Sequence, residues 1–284
     1  MRPSYATPEA LRELIRIALR EDIGSGDITT EATIPDNVNA RAQMVAKDNG
    51  IVAGVDVAVE VFQQLNPKLI AIVNRQDGEI IKPGDVILEV TGPARSLLSA
   101  ERVALNIVQR MSGIATYTQQ LCTLLKGTSV KLMDTRKTTP GFRILEKWAV
   151  AIGGGVNHRY NLSDMILLKD NHIDVAGGIL AALARVKQLH GGKKIEVETR
   201  TLREVQEVLE AGGADIILLD NMDEADLSAA VKLIAGRCKT EASGGISPAS
   251  LPVIAATGVD FISMGALTHS YKSLDLNFKV MVRE

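Results

Sequence analysis

Residues 194 to 245 read KIEVETR, TLREVQEVLEAGG, ADIILLDN, MDEADLSAAVKLIAG and RCKTEASGG in unbroken succession. Short apolar runs alternate there with segments of helical spacing; Thr201 and Glu204 form a capping box and Gly212 can end the first helix. Strand, helix, strand repetition at this interval predicts parallel strands joined by right-handed crossovers, in a doubly wound sheet or a barrel.

Further apolar runs begin near residues 130, 165 and 259, which brings the strands to six. Ser247 with Pro248 predicts another helix start, and Gly258 its end. Arg136 and Lys137, Lys169, Glu198, Asp220, Ser243 and Gly265 each stand at or just beyond the C-terminal end of a different strand. Polar residues converging from every strand on one face is the barrel arrangement, whereas an open sheet concentrates its site at one switch point. Six strands instead of eight predict a small or incomplete barrel.

Before this region the pattern differs. Thr7 as N-cap, Pro8 at the first helical position and Leu11, Leu14, Ile15, Ala18 and Leu19 predict an amphipathic helix that stops near Gly24. Residues 40–46, 69–74 and 86–90 read as strands and 55–65 as a helix, with a turn at Lys82-Pro83-Gly84-Asp85. Helices are predicted over 96–111 and 114–126, interrupted at Ser112-Gly113 and closed by Gly127. The expected class is therefore α/β: an N-terminal α+β sandwich domain over 1–112, with the tail 273–284 packing back on it, followed by an incomplete or small parallel α/β barrel over 113–272.

With 284 residues and 46% hydrophobic content the chain can bury two cores. Its 32 basic and 34 acidic residues leave a net charge of −2, so no global basic field exists to hold nucleic acid or an anionic membrane. No uninterrupted apolar stretch of about 18 residues occurs and the first residues lack an apolar signal core, from which a cytoplasmic protein is expected. Cys122 and Cys238 lack metal-ligand spacing and are expected to be packed thiols.

Positive charge is instead concentrated locally, in DTRKTTPG (134–141), GGGVNHR (153–159) and LLKDNH (167–172). Arg136, Lys137, Arg159 and Lys169 lie here with His158 and His172, and the local acids Asp134, Asp164 and Asp170 are too few to neutralise them. Cations lining a cleft require anionic partners, so a carboxylate- or phosphate-bearing ligand is expected. The glycines of Ser243-Gly244-Gly245 and Met264-Gly265-Ala266 let backbone N–H groups approach an anion, with the helix expected after Ser247 adding its positive end. Glu198 and Asp220 end neighbouring strands and suit acid/base work, ribose hydroxyls or Mg²⁺. The surrounding cations favour a phosphoribosyl donor with diphosphate and Mg²⁺ over a glycosidase.

These residues resemble the quinolinate phosphoribosyltransferase family, the carboxylating nicotinate-nucleotide pyrophosphorylases. The resemblance spans nearly the whole chain: Gly26 to Thr29, Glu101-Arg102, Asp134 to Gly141, Gly153 to Arg159, Leu168 to His172, Glu198, Asp220, Ser243 to Gly245 and Gly265 to His269. It implies transfer of phosphoribose to quinolinate with decarboxylation, in NAD biosynthesis. By motif, Arg136, His158, Arg159 and Lys169 are expected around the quinolinate carboxylates, Lys137 near the reacting centre, and Glu198 and Asp220 at the ribose hydroxyls. Mg²⁺ is expected through the diphosphate, with Glu198 and Asp220 as candidate ligands. The Ser243, Gly244, Gly245 and Met264, Gly265, Ala266 loops are expected at the 5′-phosphate, with Thr135 and His269 completing the binding set.

The resemblance also implies a homodimer or larger homo-oligomer in which Arg102 enters the neighbour's site. On sequence alone, a surface arginine paired with Glu101 explains Arg102 equally well. A molybdenum-transport-type homologue is a rival of the same fold. From another class, Asp77 to Val90, DGEIIKPGDVILEV, has the rhythm of a biotinyl or lipoyl carrier, but no lysine occupies an evident hairpin-tip attachment point.

Overall fold

The computed structural model describes residues 2–189 and 192–281. Its strands, in chain order, are β1 (Asn39–Ala46), β2 (Gly50–Ile51), β3 (Ile70–Val73), β4 (Ile80–Ile81), β5 (Val86–Pro93), β6 (Lys131–Met133), β7 (Ile166–Leu168), β8 (Ile195–Thr199), β9 (Ile216–Asp220), β10 (Lys239–Ser243), β11 (Phe261–Ser263) and β12 (Leu276–Met281). The chain forms two compact units, one of residues 1–119, 138–154 and 267–284, the other of 120–137 and 155–266. Relative to the expected division at residue 112, residues 113–119, 138–154 and 267–272 also belong with the N-terminal unit.

The first unit is built on an antiparallel sheet of order β12-β1-β5-β3. β12 comes from the C-terminal tail and pairs with β1 from Arg41↔Met281 to Ala46↔Leu276. The helix Pro8–Ile23 starts as its sequence dictates: Thr7 Oγ1 accepts the Ala10 N–H, Pro8 follows, and Gly24 ends it at φ +60°. Leu11, Ile15 and Leu19, four residues apart, form its buried stripe. The helix Val55–Leu65 buries Phe62, which stacks on Phe278 of β12 with centroids 5.8 Å apart. Trp148, the single tryptophan, is buried in this unit with the Arg2 guanidinium 5.7 Å from its ring centroid.

One helix, Ala94–Leu124, replaces the two expected around Ser112-Gly113. Gly113 is there for close approach: a Cβ at this position would lie 2.3 Å from the carbonyl oxygen of Lys272. A glycine weakens a helix on its own, but tertiary packing here needs the missing side chain and keeps the helix continuous.

The second unit is a six-stranded parallel sheet of order β6-β11-β10-β9-β8-β7. Apart from β6, each strand lies beside its sequence neighbour, and the first and last strands in the order are also consecutive in sequence. Val156 forms a parallel bridge with Met133 on the free edge of β6. The result is a barrel left open between β6 and β7. β8 is buried at every position although its sequence IEVET alternates apolar and polar residues, so its acids are enclosed instead of solvated. Helices Leu202–Ala211 and Glu224–Ile234 cover the sheet, the first capped by Thr201 Oγ1 accepting the Glu204 N–H and the second by Asp223 accepting the Asp226 N–H.

One helix start moves. The helix expected at Ser247-Pro248 begins at Leu251 and spans six residues, to Ala256. Residues 247–250 form a turn in which Ser250 Oγ donates to the Ser247 carbonyl. The serine signal is therefore used in a turn, and loop amides, not a long helix dipole, must supply any anion recognition nearby.

Candidate active site

The strand register builds the site in rows. Lys169 follows β7, whose Leu168 pairs with Val197, so Lys169 stands level with Glu198; Glu198 is opposite Leu218, and Leu218 opposite Glu241. Asp220 and Ser243 are paired two residues further on, at the C-terminal rim. Side chains two apart share a face, so Glu196 and Glu198, Leu218 and Asp220, and Glu241 and Ser243 project together from β8, β9 and β10.

These rows line a cavity of about 610 Å³ with Thr135, Arg136, Lys137, His158, Arg159, Leu167, Asn221, Gly244, Gly245 and Ser263. Its lining includes the cations Arg136, Lys137, Arg159 and Lys169, together with Asp220, Asn221 and the Ser243 loop at the ends of β9 and β10. Arg159 is buried and donates to the Met165 carbonyl at 3.1 Å. Burial lowers its pKa, and the charge of Arg136 lowers it further against the pull of Glu196 and Asp164. Two guanidiniums held close enough to oppose each other define a place for an anion with more than one negative charge.

The local scaffolding is made of acids and backbone. Asp134 is fully buried, accepting the His158 N–H at 2.8 Å and the Asn157 side-chain amide at 2.7 Å, so it shapes the loop that carries Arg159. Thr135 Oγ1 accepts the Lys137 N–H at 3.0 Å. His172 Nδ1 accepts the Lys169 N–H at 3.0 Å and starts the helix Asp170–Ala176, so this histidine orients Lys169. Lys169 Nζ itself donates to Glu198 Oε2 at 2.5 Å.

Beneath this layer lie two acids that sequence reasoning missed. Glu196 and Glu241 are buried, and with His158 they present ligand-type atoms all within 4.8 Å of one another. β8 and β10 are separated by β9, roughly 10 Å across a flat sheet, so the concave wall of the barrel brings these tips together. Burial raises the pKa of both acids, and the charge of Glu196 raises that of Glu241 further. His158 Nε2 lies 2.8 Å from Glu196 Oε2, while Nδ1 accepts the Arg159 N–H at 2.7 Å. An Nδ1 that accepts leaves the proton of a neutral ring on Nε2. In that tautomer the proton stands on Nε2, 2.8 Å from Glu196 Oε2, and Nε2 is not offered as a metal ligand. The signal for both acids was present: they sit two residues before Glu198 and Ser243, in the same strands.

Of the expected residues, Thr135, Arg136, Lys137, His158, Arg159, Lys169, Glu198, Asp220, Ser243, Gly244 and Gly245 meet at the cavity. Met264 is buried and its N–H donates to the Met133 carbonyl, joining the ends of β11 and β6. Gly265 and Ala266 follow, and neither is among the cavity-lining residues. Arg102 and His269 belong to the other unit. Arg102 is exposed, with its guanidinium 3.8 Å from Glu101, and His269 Nδ1 is 2.7 Å from Ser270 Oγ.

Hard oxygen donors for a cation are available at the rim in Glu198 and Asp220, the ligand type suited to Mg²⁺. The expected scarcity of local acids is corrected by the strands: Glu196, Glu198 and Glu241 stand close to cations that lie far from them in sequence.

Comparison with known proteins agrees with this architecture. Residues 27–112 match the model of the quinolinate phosphoribosyl transferase N-terminal domain, and residues 114–279 that of its C-terminal domain. The probable nicotinate-nucleotide pyrophosphorylase [carboxylating] of Bacillus subtilis is 45% identical over 95% of this chain and 93% of its own. The chloroplastic nicotinate-nucleotide pyrophosphorylase [carboxylating] of Arabidopsis thaliana is 46% identical over 98% and 84%. Among solved structures, NadC from Streptococcus pyogenes superposes with a TM-score of 0.93 at 40% identity, covering 98% of this chain and 99% of that one. With both halves matched in order and near full-length identity above 40%, the chain belongs to the quinolinate phosphoribosyltransferase family.

Proposed function

We propose that this cavity carries out the family's reaction: phosphoribosyl transfer from phosphoribosyl diphosphate to quinolinate with decarboxylation, giving nicotinate mononucleotide, diphosphate and CO₂ in NAD biosynthesis. The observation that carries the reading is the meeting in one cavity of the cations Arg136, Lys137, Arg159 and Lys169 with the acid Asp220 and the loop of Ser243, Gly244 and Gly245. An aromatic dicarboxylate suits the first, and a sugar bearing hydroxyls and a phosphate suits the second.

Arg136, Arg159 and Lys169 bind the two carboxylates. His158 lines the same cavity, and its Nδ1 accepts the Arg159 N–H, which holds the Arg159 backbone beside the carboxylate site. The pyridine nitrogen attacks the anomeric carbon, the bond to diphosphate breaks, and its electron pair leaves with the diphosphate oxygen. Glu198 and Asp220 stand beside the positive charge that develops on the ribose, fixed electrostatics that need no reorganisation. The carbon–carbon bond to the adjacent carboxylate then breaks, and the quaternary ring nitrogen stabilises the electron pair left on carbon until a proton is taken up. Lys137 lies near the reacting centre.

Glu198 and Asp220 would hold Mg²⁺, directly or through water, and the ion would supply charge neutralisation for the diphosphate leaving group. The Ser243–Gly245 loop receives the 5′-phosphate. The active form is a homodimer or larger assembly in which Arg102 reaches the neighbouring subunit's cavity. Free thiols at Cys122 and Cys238 suit a reducing compartment, in line with a cytoplasmic enzyme.

The reading is tested by incubating the protein with phosphoribosyl diphosphate, Mg²⁺ and quinolinate labelled in its adjacent carboxylate, with nicotinate as the control acceptor. Labelled CO₂ and diphosphate in equal amounts from quinolinate, and neither product from nicotinate, is the expected result. Equal use of both acceptors, or no turnover, would overturn it.

A further inference from the structure

Asn221 follows Asp220 at the end of β9 and adopts φ +55°. Left-handed backbone costs an ordinary L-residue roughly 1–2 kcal/mol, and asparagine tolerates it better than most. The other non-glycine residue with positive φ among those described, Ala235, merely ends a helix. Asn221 instead faces the cavity and makes three connections. Its backbone N–H donates to the Ser243 carbonyl at 2.9 Å. Its side-chain amide donates to Asp220 Oδ2 at 2.7 Å. Its Oδ1 occupies the space over Gly244, where a Cβ would lie 2.3 Å away.

We propose that Asn221 is a positioning residue for the phosphoribosyl donor: it fixes the Asp220 carboxylate and seats the Ser243–Gly245 loop against it as one unit. The left-handed turn swings the amide sideways, between an acid on β9 and a glycine loop after β10. Gly244 suits the position twice over: its φ is +95°, and Asn221 fills the volume a side chain would need. Strained backbone at a cavity rim, compensated by contacts to both neighbouring groups, is the pattern in which conformation is held for function. This inference rests on the proposed assignment of the rim to the donor.

Asn221→Gly separates the roles, since glycine accepts the backbone angle and lacks the amide. Calorimetric affinities for phosphoribosyl diphosphate with Mg²⁺ and for quinolinate, steady-state KM and kcat, and the thermal midpoint would all be measured. The expected result is a midpoint equal to or above that of the unaltered protein, donor affinity weaker by at least about tenfold, the size of one hydrogen bond to a charged group, and quinolinate affinity changed less than about twofold. Asn221→Asp keeps shape and turn preference but sets a carboxylate beside Asp220, and is expected to weaken the donor at least as much. Should the glycine variant fail to fold, the aspartate variant carries the same comparison. Unchanged donor affinity in either folded variant, or equal losses for both ligands, would overturn the proposal. An unaltered protein that binds neither ligand would instead overturn the functional reading beneath it.

Discussion

Lys169 Nζ donates to Glu198 Oε2 at 2.5 Å, a cation following one strand closed onto an acid in the next, at the same register level. A site that is to hold a dianion thus pairs one of its own cations with one of its own acids. Lys169 is 47% exposed, so solvent screens the pair and a ligand carboxylate can compete for the ammonium. Glu198→Gln is expected to bind quinolinate as tightly as the unaltered protein or more tightly, while kcat falls about 10²-fold or more, the scale of removing one preorganised group at developing charge. Calorimetry with quinolinate beside steady-state kinetics checks both halves.

Lys137 is exposed at the cavity, on a turn shaped by Thr135. Lys137→Ala is expected to leave the thermal midpoint unchanged and to remove about 2–4 kcal/mol of transition-state stabilisation. Single-turnover rates measured beside differential scanning calorimetry decide the matter, and near-normal turnover would remove Lys137 from the chemistry.

Arg159 is the buried one of the four cavity cations, with its pKa lowered by burial and by Arg136. Arg159→Ala is expected to weaken quinolinate by about 1.5–3 kcal/mol, the range for charged hydrogen bonds, and to affect phosphoribosyl diphosphate less. Arg159→Lys should recover only part, since a point charge does not reproduce the guanidinium fork. Equal weakening of both ligands would contradict this assignment.

Glu196 and Glu241 are held above the ordinary carboxylate range, first by burial. The folded state therefore binds more protons than the unfolded chain between roughly pH 4.5 and about pH 8. Their stabilising contribution is complete below the unfolded pKa and is lost as pH rises through the folded values. Asp77, raised to about 6 by burial, acts in the same direction. Urea midpoints of the unaltered protein should fall from pH 5 to pH 8, and Glu241→Gln, which cannot ionise, should flatten that fall by about 1.4 kcal/mol for each unit of raised pKa. Parallel curves for the two proteins would rule out the buried pair as the source.

Much of this architecture is legible in the chain because short parallel strands announce themselves by apolar runs and their ends by a single polar residue. Arg136, Lys169, Glu198, Asp220 and Ser243 were found that way, and they meet at one cavity. What escaped was set by three dimensions. Glu196 and Glu241 look like ordinary strand polar residues until the barrel's curvature turns them inward. Gly113 reads as a helix break until Lys272 is seen against it. Ser247 has the composition of a helix cap, but its local turn with Ser250 postpones the helix to Leu251. Asn221 carried a faint signal, an Asp-Asn pair at a strand end, that only the backbone angle gives meaning.

The implied assembly makes a separate prediction. If Arg102 serves the neighbouring cavity, Arg102→Ala and Lys169→Ala are each expected to be nearly inactive alone, and mixing them under subunit exchange should restore up to about a quarter of native activity, the share of sites that receives both intact residues in a dimer. No recovery despite proven exchange would place Arg102 outside the partner's site.

Cations from separate strands are expected to hold one dianionic aromatic acid, and a crystal structure with quinolinate bound is the decisive measurement. Both carboxylates should lie within hydrogen-bonding distance of Arg136, Arg159 and Lys169, with Lys169 drawn away from Glu198. Quinolinate seated at the Ser243–Gly245 rim, or bound while Lys169 remains closed on Glu198, would contradict that expectation.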